Sequence, residues 1–171
     1  TCPPRIHAEV MALGELMLSK LGQIFLQQQN TPTYWLDARL KLKAEERTDN
    51  NIERAYLSAT CKANFDAELL QFLDTLAEPV VLTQGFISAN SKGHTVLLGR
   101  GGSDTSASYF GARIGAKRVE IWTDVPGMFT SNPQAIPSAK LLKALHYDEA
   151  QELASSGAKV LHPRCIEPLK L

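Results

Sequence analysis

The feature that most constrains the fold is the alternation of amphipathic helical segments with short apolar segments. Residues 8–29 carry large apolar side chains at mostly three- and four-residue steps, which predicts a helix with one apolar face. Residues 33–37 and 79–83 are predicted to be strands, the second of them buried. This alternation predicts an α/β fold with a mostly parallel sheet sandwiched between helices. The apolar positions of the first helix are Val10, Leu13, Met17, Leu21, Ile24 and Phe25.

Three further helices are predicted from local signals. Asn64 is a candidate N-cap for a helix rich in leucine and phenylalanine. Residues 106–115 have helical character, and residues 147–157 form a final helix ended by Gly157. In an open α/β sheet, ligands bind on the loops that lead from strands into helices. The loops next to these helices are therefore the first place to look for a site.

The remaining segments are predicted to be one strand and two loops. Residues 118–123 are apolar and β-branched enough to form a strand. Residues 124–133 are rich in turn-forming residues. Residues 38–62 are polar and charged, which predicts a mobile surface segment.

Composition excludes several classes of protein. The chain has 171 residues, of which 44% are hydrophobic and 21% charged, as expected for one globular domain. Lys and Arg number 18 and Asp and Glu number 18, so no net positive field favours nucleic acid or an anionic membrane. No apolar run approaches the ~20 residues of a membrane span. The three cysteines are far apart, which predicts reduced thiols in the cytoplasm. A small-molecule partner is the remaining expectation.

A glycine-rich segment is the first candidate site. Residues 97–107 read LLGRGGSDTSA, in which three glycines flank Arg100 and a helix follows. Ser103 or Asp104 is predicted to cap that helix, and the helix N-terminus favours anions. Gly85, directly after a strand, similarly permits close approach of a ligand. A phosphate or carboxylate site and a simple turn with an N-cap both fit this pattern.

Two other loops carry candidate residues. Thr123 and Asp124 follow the strand predicted at residues 118–123, where a hydroxyl and a carboxylate can reach a nucleotide or its metal. An ordinary turn before Pro-Gly is the alternative. Lys159 follows a helix end and offers a compact cation for phosphate, and an ordinary surface lysine is the alternative that this segment favours when taken alone.

Taken together, these motifs resemble the aspartokinase family, which has the amino-acid kinase fold. The motifs are GRGGSD, IWTDVPG and ELASSGAKVLHPR in this order, with GELM, WLDAR and LTQGF before them. The resemblance implies transfer of the γ-phosphoryl group of ATP to the β-carboxylate of L-aspartate, the first step toward lysine, threonine and methionine. It also implies Mg²⁺ carried by the nucleotide, no other metal site, a cytoplasmic location and a homo-oligomeric parent.

The resemblance assigns roles residue by residue. Glu15 is implied to contact the amino group of aspartate, and Arg100 its carboxylate. The implied substrate-binding residues are Glu15, Arg100, Gly101, Gly102 and Ser103. The implied nucleotide-binding residues are Thr123, Asp124, Phe129, Gln134 and Lys159. Arg100, Asp104 and Asp124 are implied to be catalytic.

Some positions depart from the family pattern. Phe129, Asn132 and Gln134 stand where the family usually has tyrosine, aspartate and arginine, which weakens the expectation for ATP binding. The family's N-terminal lysine and glycine motif and its regulatory ACT domains have no counterpart. Residues 1–171 are therefore expected to be the central and C-terminal part of a catalytic domain, incomplete at the N-terminus and inactive alone.

Several alternatives stay open at this point. A non-catalytic nucleotide- or amino-acid-binding module of the same fold is one of them. Another acid kinase, such as glutamate kinase, fits GELM and ASSGAKVLHP poorly. The parent protein is either monofunctional or fused to homoserine dehydrogenase or diaminopimelate decarboxylase, and the sequence does not decide between these.

Overall fold

Helices and strands alternate along the chain in the computed structural model, which describes residues 2–132, 134–156 and 161–170. The helices are α1 Pro4–Gln28, α2 Ala38–Lys41, α3 Ile52–Leu57, α4 Ala67–Asp74, α5 Gly102–Arg113, α6 Tyr147–Ser155 and α7 Pro163–Ile166. The strands are β1 Thr33–Leu36, β2 Val80–Thr83, β3 Ile87–Ala89 and β4 Thr95–Leu97, and a short 3-10 turn covers Glu167–Leu169. None of the helices in these ranges is long and apolar enough to cross a membrane.

The strands pair in two ways. Strands β1 and β2 are parallel, with Thr33 opposite Val80, and the chain between them contains α2, α3 and α4. The α/β class with parallel pairing is thus confirmed. Strands β3 and β4 form an antiparallel hairpin, which the sequence did not predict. The turn that closes this hairpin is built by Asn90, whose Oδ1 accepts from the backbone N–H groups of Lys92 and His94, and by Gly93 at φ +76°.

The buried core forms on both faces of the β3–β4 hairpin. Val96 and Leu98 pack with Tyr109 of α5 on one side, and Leu97 packs with Ile87 and α1 on the other. Alternate residues of a strand point to opposite faces, so this short strand contributes to two clusters. The Tyr109 hydroxyl accepts a hydrogen bond from the Cys61 backbone N–H at 3.1 Å. The hairpin therefore packs against both α1 and α5.

The buried face of α1 differs from the predicted one. Its buried residues are Ala8 and Ala12, with Leu16 partly buried beside them. Alanine lets the helix backbone approach β4 closely, so this face packs on the hairpin. The six large apolar residues predicted to face the core are instead 43–64% exposed. They are Val10, Leu13, Met17, Leu21, Ile24 and Phe25.

Other local predictions also need correction. Residues 118–123, all within the described ranges, form no strand, because no neighbouring strand there supplies backbone partners. In this segment Trp122 is 90% exposed. Residues 38–62 contain α2 and α3 instead of one irregular loop. The β2 strand is half-buried instead of fully buried. Gly157 lies outside the described residues, although α6 is confirmed.

The N-cap of α4 is Asp66 and not Asn64. The Asp66 carboxylate accepts from the Leu69 backbone N–H at 2.9 Å and also pairs with the Arg113 guanidinium. Arg113 in turn donates to the Lys41 carbonyl. The Leu69 N–H and Arg113 lower the pKa of Asp66. One carboxylate therefore starts α4 and joins it to the end of α5.

We expect replacement of Asp66 to separate these two functions. Asp66→Ala loses both the cap and the ion pair and should lower the free energy of unfolding by about 1–2 kcal/mol, whereas Asp66→Asn keeps a capping oxygen and should lose less. Because folding lowers the pKa of Asp66, its stabilisation is complete above the unfolded value of about 3.9 and is lost as pH falls through the folded value. Urea unfolding at pH 7 and pH 3 measures both effects. Equal losses for the two variants at pH 7 would contradict the capping role.

Candidate functional site

The glycine-rich turn at residues 99–102 has a left-handed backbone. Gly99 has φ +76° and Gly101 has φ +67°, conformations that favour glycine. Gly101 is the N-cap of α5, so the prediction that Ser103 or Asp104 caps this helix is wrong. Both residues lie instead in its first turn, where N–H groups lack intrahelical acceptors. Arg100 is thus presented directly before a helix N-terminus that favours anions.

The loop after β2 packs directly on the start of α5. A Cβ added to Gly85 would lie 2.9 Å from Cα of Ser103, and one added to Gly102 would lie 2.7 Å from Cδ2 of Phe86. The Phe86 backbone N–H donates to Ser106 Oγ at 2.9 Å. Two motifs that are separate in sequence, LTQGF and GRGGSD, therefore form one surface.

Two further segments enclose the turn, and neither was predicted to lie there. A Cβ on Gly99 would lie 3.0 Å from Ser58 Oγ, and a Cβ on Gly101 would lie 2.5 Å from the Cβ of His162. His162 belongs to the HPR triplet at the end of ELASSGAKVLHPR, and this motif was the sequence signal that could have placed it near the turn. No comparable signal marked Ser58. The turn therefore has protein on two sides and no space for larger residues.

Positive charge is concentrated at this turn. Arg100 is exposed and has no hydrogen bond or ion pair with any residue of the described ranges. Burial lowers the pKa of His162, and the nearby charges of Arg164 and Arg100 lower it further, which favours the neutral imidazole. Burial, together with the Asp104 carboxylate, raises the pKa of the Cys165 thiol to about 11. The exposed cation of the turn is thus available to an anionic ligand.

Glu15 lies on the partly buried side of α1, one turn before Ser19. Ser19 Oγ accepts from Trp35 Nε1 at 3.0 Å and from Gln84 Nε2 at 2.8 Å. Gln84 Oε1 accepts from the Ala38 backbone N–H at 2.8 Å. This part-buried network joins α1, at a residue two positions after GELM, to WLDAR and LTQGF. It fixes the helix that carries Glu15 to the loop next to the glycine-rich turn.

The predicted nucleotide-binding residues lie in a more exposed region. Thr123 Oγ1 donates to Asp124 Oδ1 at 3.2 Å, and both residues are exposed. Thr123 lines a cavity of about 860 Å³ that Cys165 also borders. Phe129 forms an isolated bridge with Leu141, and Gln134 is exposed. Lys159 lies outside the described residues.

The short helix α7 lies between this cavity and the glycine-rich turn. Cys165 of α7 lines the cavity, while His162, which caps α7, contacts Gly101. Among the residues that are described, no group of three or more His, Cys, Asp or Glu side chains is placed to hold a metal ion. The candidate site therefore consists of a cationic turn and a neighbouring cavity bridged by α7.

A family model described as the amino acid kinase family matches residues 3–171, so the chain belongs to the amino acid kinase family. The resemblance to aspartokinases is also confirmed. The chain is 39% identical over 165 residues to the lysine-sensitive aspartokinase 3 of Escherichia coli, with 96% of this chain and 35% of that protein covered. It is 41% identical over 164 residues to bifunctional aspartokinase/homoserine dehydrogenase 2 of the same organism, covering 96% and 19%.

The fold comparison agrees with the sequence comparison. The crystal structure of E. coli aspartokinase III in complex with aspartate and ADP superposes with a TM-score of 0.82 at 36% identity, covering 96% of this chain and 36% of that one. The α/β fold predicted from the sequence is therefore the amino-acid kinase fold. The chain spans about a third of the length of aspartokinase 3.

We expect Gly101→Ala to lower the free energy of unfolding by more than the cost of a left-handed alanine alone. A left-handed alanine costs about 1–2 kcal/mol, and the contact with His162 adds about 1–3 kcal/mol of overpacking. Gly93→Ala is the matched control, since Gly93 has φ +76° but open space around the added Cβ. Urea unfolding of the two variants compares them directly. Equal losses would contradict the close packing of His162 on the turn.

Proposed function

We propose that the protein containing this chain is an aspartate kinase, which transfers the γ-phosphoryl group of ATP to the β-carboxylate of L-aspartate. The observation that carries the proposal is Arg100, an exposed guanidinium held between left-handed glycines at the start of α5. A planar guanidinium forms two parallel hydrogen bonds with a carboxylate. The similarity to aspartokinase III, solved with aspartate and ADP, supports the choice of ligands.

The aspartate site in this proposal lies at the glycine-rich turn. Arg100 binds a substrate carboxylate, and Ser103, in the exposed part of the first turn of α5, adds a hydroxyl. The backbone N–H groups of Gly101 and Gly102, at the positive end of α5, complete the anion site in this proposal. Glu15 pairs with the amino group of the substrate. Asp104, next to Ser103, completes this pocket, and its catalytic role is assigned from the sequence motif alone.

The nucleotide site lies at the cavity lined by Thr123. Thr123 and Asp124 contact the nucleotide, and Phe129 and Gln134 belong to the loop that follows. Lys159 is assigned to the ATP phosphates from the sequence motif alone. Because α7 borders both this cavity and the glycine-rich turn, the two substrates can bind side by side. Side-by-side binding is the arrangement that a direct transfer needs.

The chemistry requires positioning and charge neutralisation. An oxygen of the β-carboxylate attacks the γ-phosphorus, the bond from that phosphorus to the bridging oxygen breaks, and ADP leaves with the electron pair. Arg100 holds the acceptor substrate in line, while cationic groups offset charge on the phosphoryl oxygens. The exposed Asp124 carboxylate would suit Mg²⁺ arriving with the nucleotide, since this ion is held by one or two carboxylates and by phosphates. When bound, Mg²⁺ neutralises phosphate charge.

The proposal extends to the setting of the protein. Residues 1–171 form the central and C-terminal part of the catalytic domain of a longer, homo-oligomeric enzyme. The cytoplasm is its proposed location, which the three free cysteines support, because two of them, Cys61 and Cys165, are buried thiols.

Aspartate-dependent release of ADP by the full-length protein tests this function, with glutamate as the control substrate. We expect turnover with aspartate and little with glutamate. Binding of ATP and aspartate without turnover would instead favour a non-catalytic binding module, for which Phe129 and Gln134 are the supporting departures from the family pattern. Turnover with glutamate alone would reject the proposed substrate.

We expect Arg100→Ala in the full-length protein to raise the aspartate KM steeply and to leave the ATP KM nearly unchanged. The free energy of unfolding should change by less than about 1 kcal/mol, since an exposed side chain outside structural networks contributes little. Arg100→Lys should recover only part of the loss, because an ammonium cannot form two parallel hydrogen bonds. Steady-state kinetics and thermal unfolding measure these quantities. A destabilised Arg100→Ala with unchanged aspartate affinity would refute the assignment.

We expect the double substitution Phe129→Tyr and Gln134→Arg to tighten ATP binding. It restores a hydroxyl and a cation that the family usually has in this loop, and both lie on the nucleotide side of the proposed site. The aspartate KM should stay within about twofold, since these residues do not border the glycine-rich turn. Steady-state kinetics with each substrate varied in turn measures the effect. An ATP KM that stays the same or rises would place the loop away from the nucleotide.

A further inference from the structure

Arg164 connects three segments of the chain around the glycine-rich turn. Its Nη1 donates to Ser58 Oγ at 3.0 Å and to the Leu98 carbonyl at 2.9 Å, and its Nη2 donates to the Ala59 carbonyl at 2.6 Å. Leu98 directly precedes Gly99. The guanidinium therefore holds the residue at which the turn begins.

The segments joined by Arg164 are the ones that enclose the turn. Ser58 lies against Gly99, and His162, two residues before Arg164, lies against Gly101. The Ala59 backbone N–H also donates to the Leu97 carbonyl at 2.8 Å, which attaches the same segment to β4. Without Arg164, the two walls of the turn lose a direct connection, and the Leu98 carbonyl loses its side-chain donor.

The acceptors of Arg164 are all neutral. No carboxylate in the described ranges forms an ion pair with it, so its charge is not compensated by a bonded partner. The side chain is half-buried, which strengthens its field compared with a fully hydrated cation. Burial is the largest cause that lowers the pKa of His162. Arg164 and Arg100 both lie close enough to this residue to lower it further. Two cations thus lie near His162.

We propose that Arg164 is a positioning residue for the aspartate site: it fixes Leu98 and the two walls of the turn, so that Arg100 is held toward the substrate carboxylate. This inference rests on the proposed aspartate kinase function. The geometry needs a planar group with several donors in fixed directions, a property that lysine lacks. A displacement of about 1 Å in a substrate-positioning group is enough to reduce catalysis strongly.

The kinetic test uses Arg164→Lys and Arg164→Gln in the full-length protein. We expect Arg164→Lys to raise the aspartate KM about tenfold and the ATP KM less than twofold, with Arg164→Gln more severe. Arg5→Gln is the matched control, since Arg5 is exposed on α1 and pairs with Glu9 alone among the residues described, and it should leave both values unchanged. Similar effects on aspartate and ATP would reduce Arg164 to a general structural role and overturn the proposal.

A double-mutant cycle tests whether Arg164 acts through Arg100. If it does, Arg164→Lys should add little to the aspartate KM once Arg100 is alanine, because the group being positioned is gone. Additive effects of the two substitutions would contradict the proposal.

Hydrogen exchange keeps the inference separate from the proposed activity. We expect amides of residues 98–103 to exchange about tenfold faster in Arg164→Lys than in the wild type, with no change in Arg5→Gln. If the wild type lacks aspartate-dependent turnover, the proposed function fails, and the exchange still decides whether Arg164 holds the turn. Unchanged exchange in Arg164→Lys would overturn the inference even in an active enzyme.

Discussion

The close approach of the loop after β2 to the first turn of α5 is the contact on which the rest of the site depends. Gly85 and Gly102 face neighbours at distances that no side chain would permit, so two glycines set the separation of these elements. The hairpin β3–β4 begins immediately after this contact and ends immediately before the glycine-rich turn. Larger residues at either glycine would move α5, and with it Arg100, away from the proposed aspartate site.

The electrostatics of the site follow from how its cations are bonded. Arg113 and Arg39 form ion pairs with Asp66 and Asp37, so their charges are locally compensated and stabilise the structure. Arg164 is bonded to neutral oxygens, and Arg100 extends into solvent. The chain has no net charge, yet Arg100 and Arg164 both lie at this turn, beside the Asp104 carboxylate, and neither guanidinium forms an ion pair with a carboxylate of the described residues. Local pairing, and not total composition, therefore determines which surface attracts an anion.

Helix α1 shows how one element serves both the core and the site. Its alanine face lies on β4, and Ser19 on the same side accepts hydrogen bonds from Trp35 and Gln84. A part-buried hydroxyl that accepts two hydrogen bonds favours one rotation of the helix about its axis, since another rotation leaves the donors of Trp35 and Gln84 without this acceptor. This rotation in turn determines where Glu15 lies. The opposite, apolar side is exposed in this chain, which spans only a part of the length of its relatives.

The sequence by itself determined the α/β class, β1 and β2, the positions of α1, α5 and α6, and the motifs around Arg100, Thr123 and Asp124. These features depend on periodicity and on turn-forming residues, which act over a few positions. Tertiary structure alone decided the buried face of α1, the β3–β4 hairpin, the absence of a strand at residues 118–123 and the cap at Asp66. It also placed His162 and Arg164 beside the turn, across about 60 residues of chain. Periodicity encodes an apolar face but not the partner that covers it, and close packing between distant residues has no local signature.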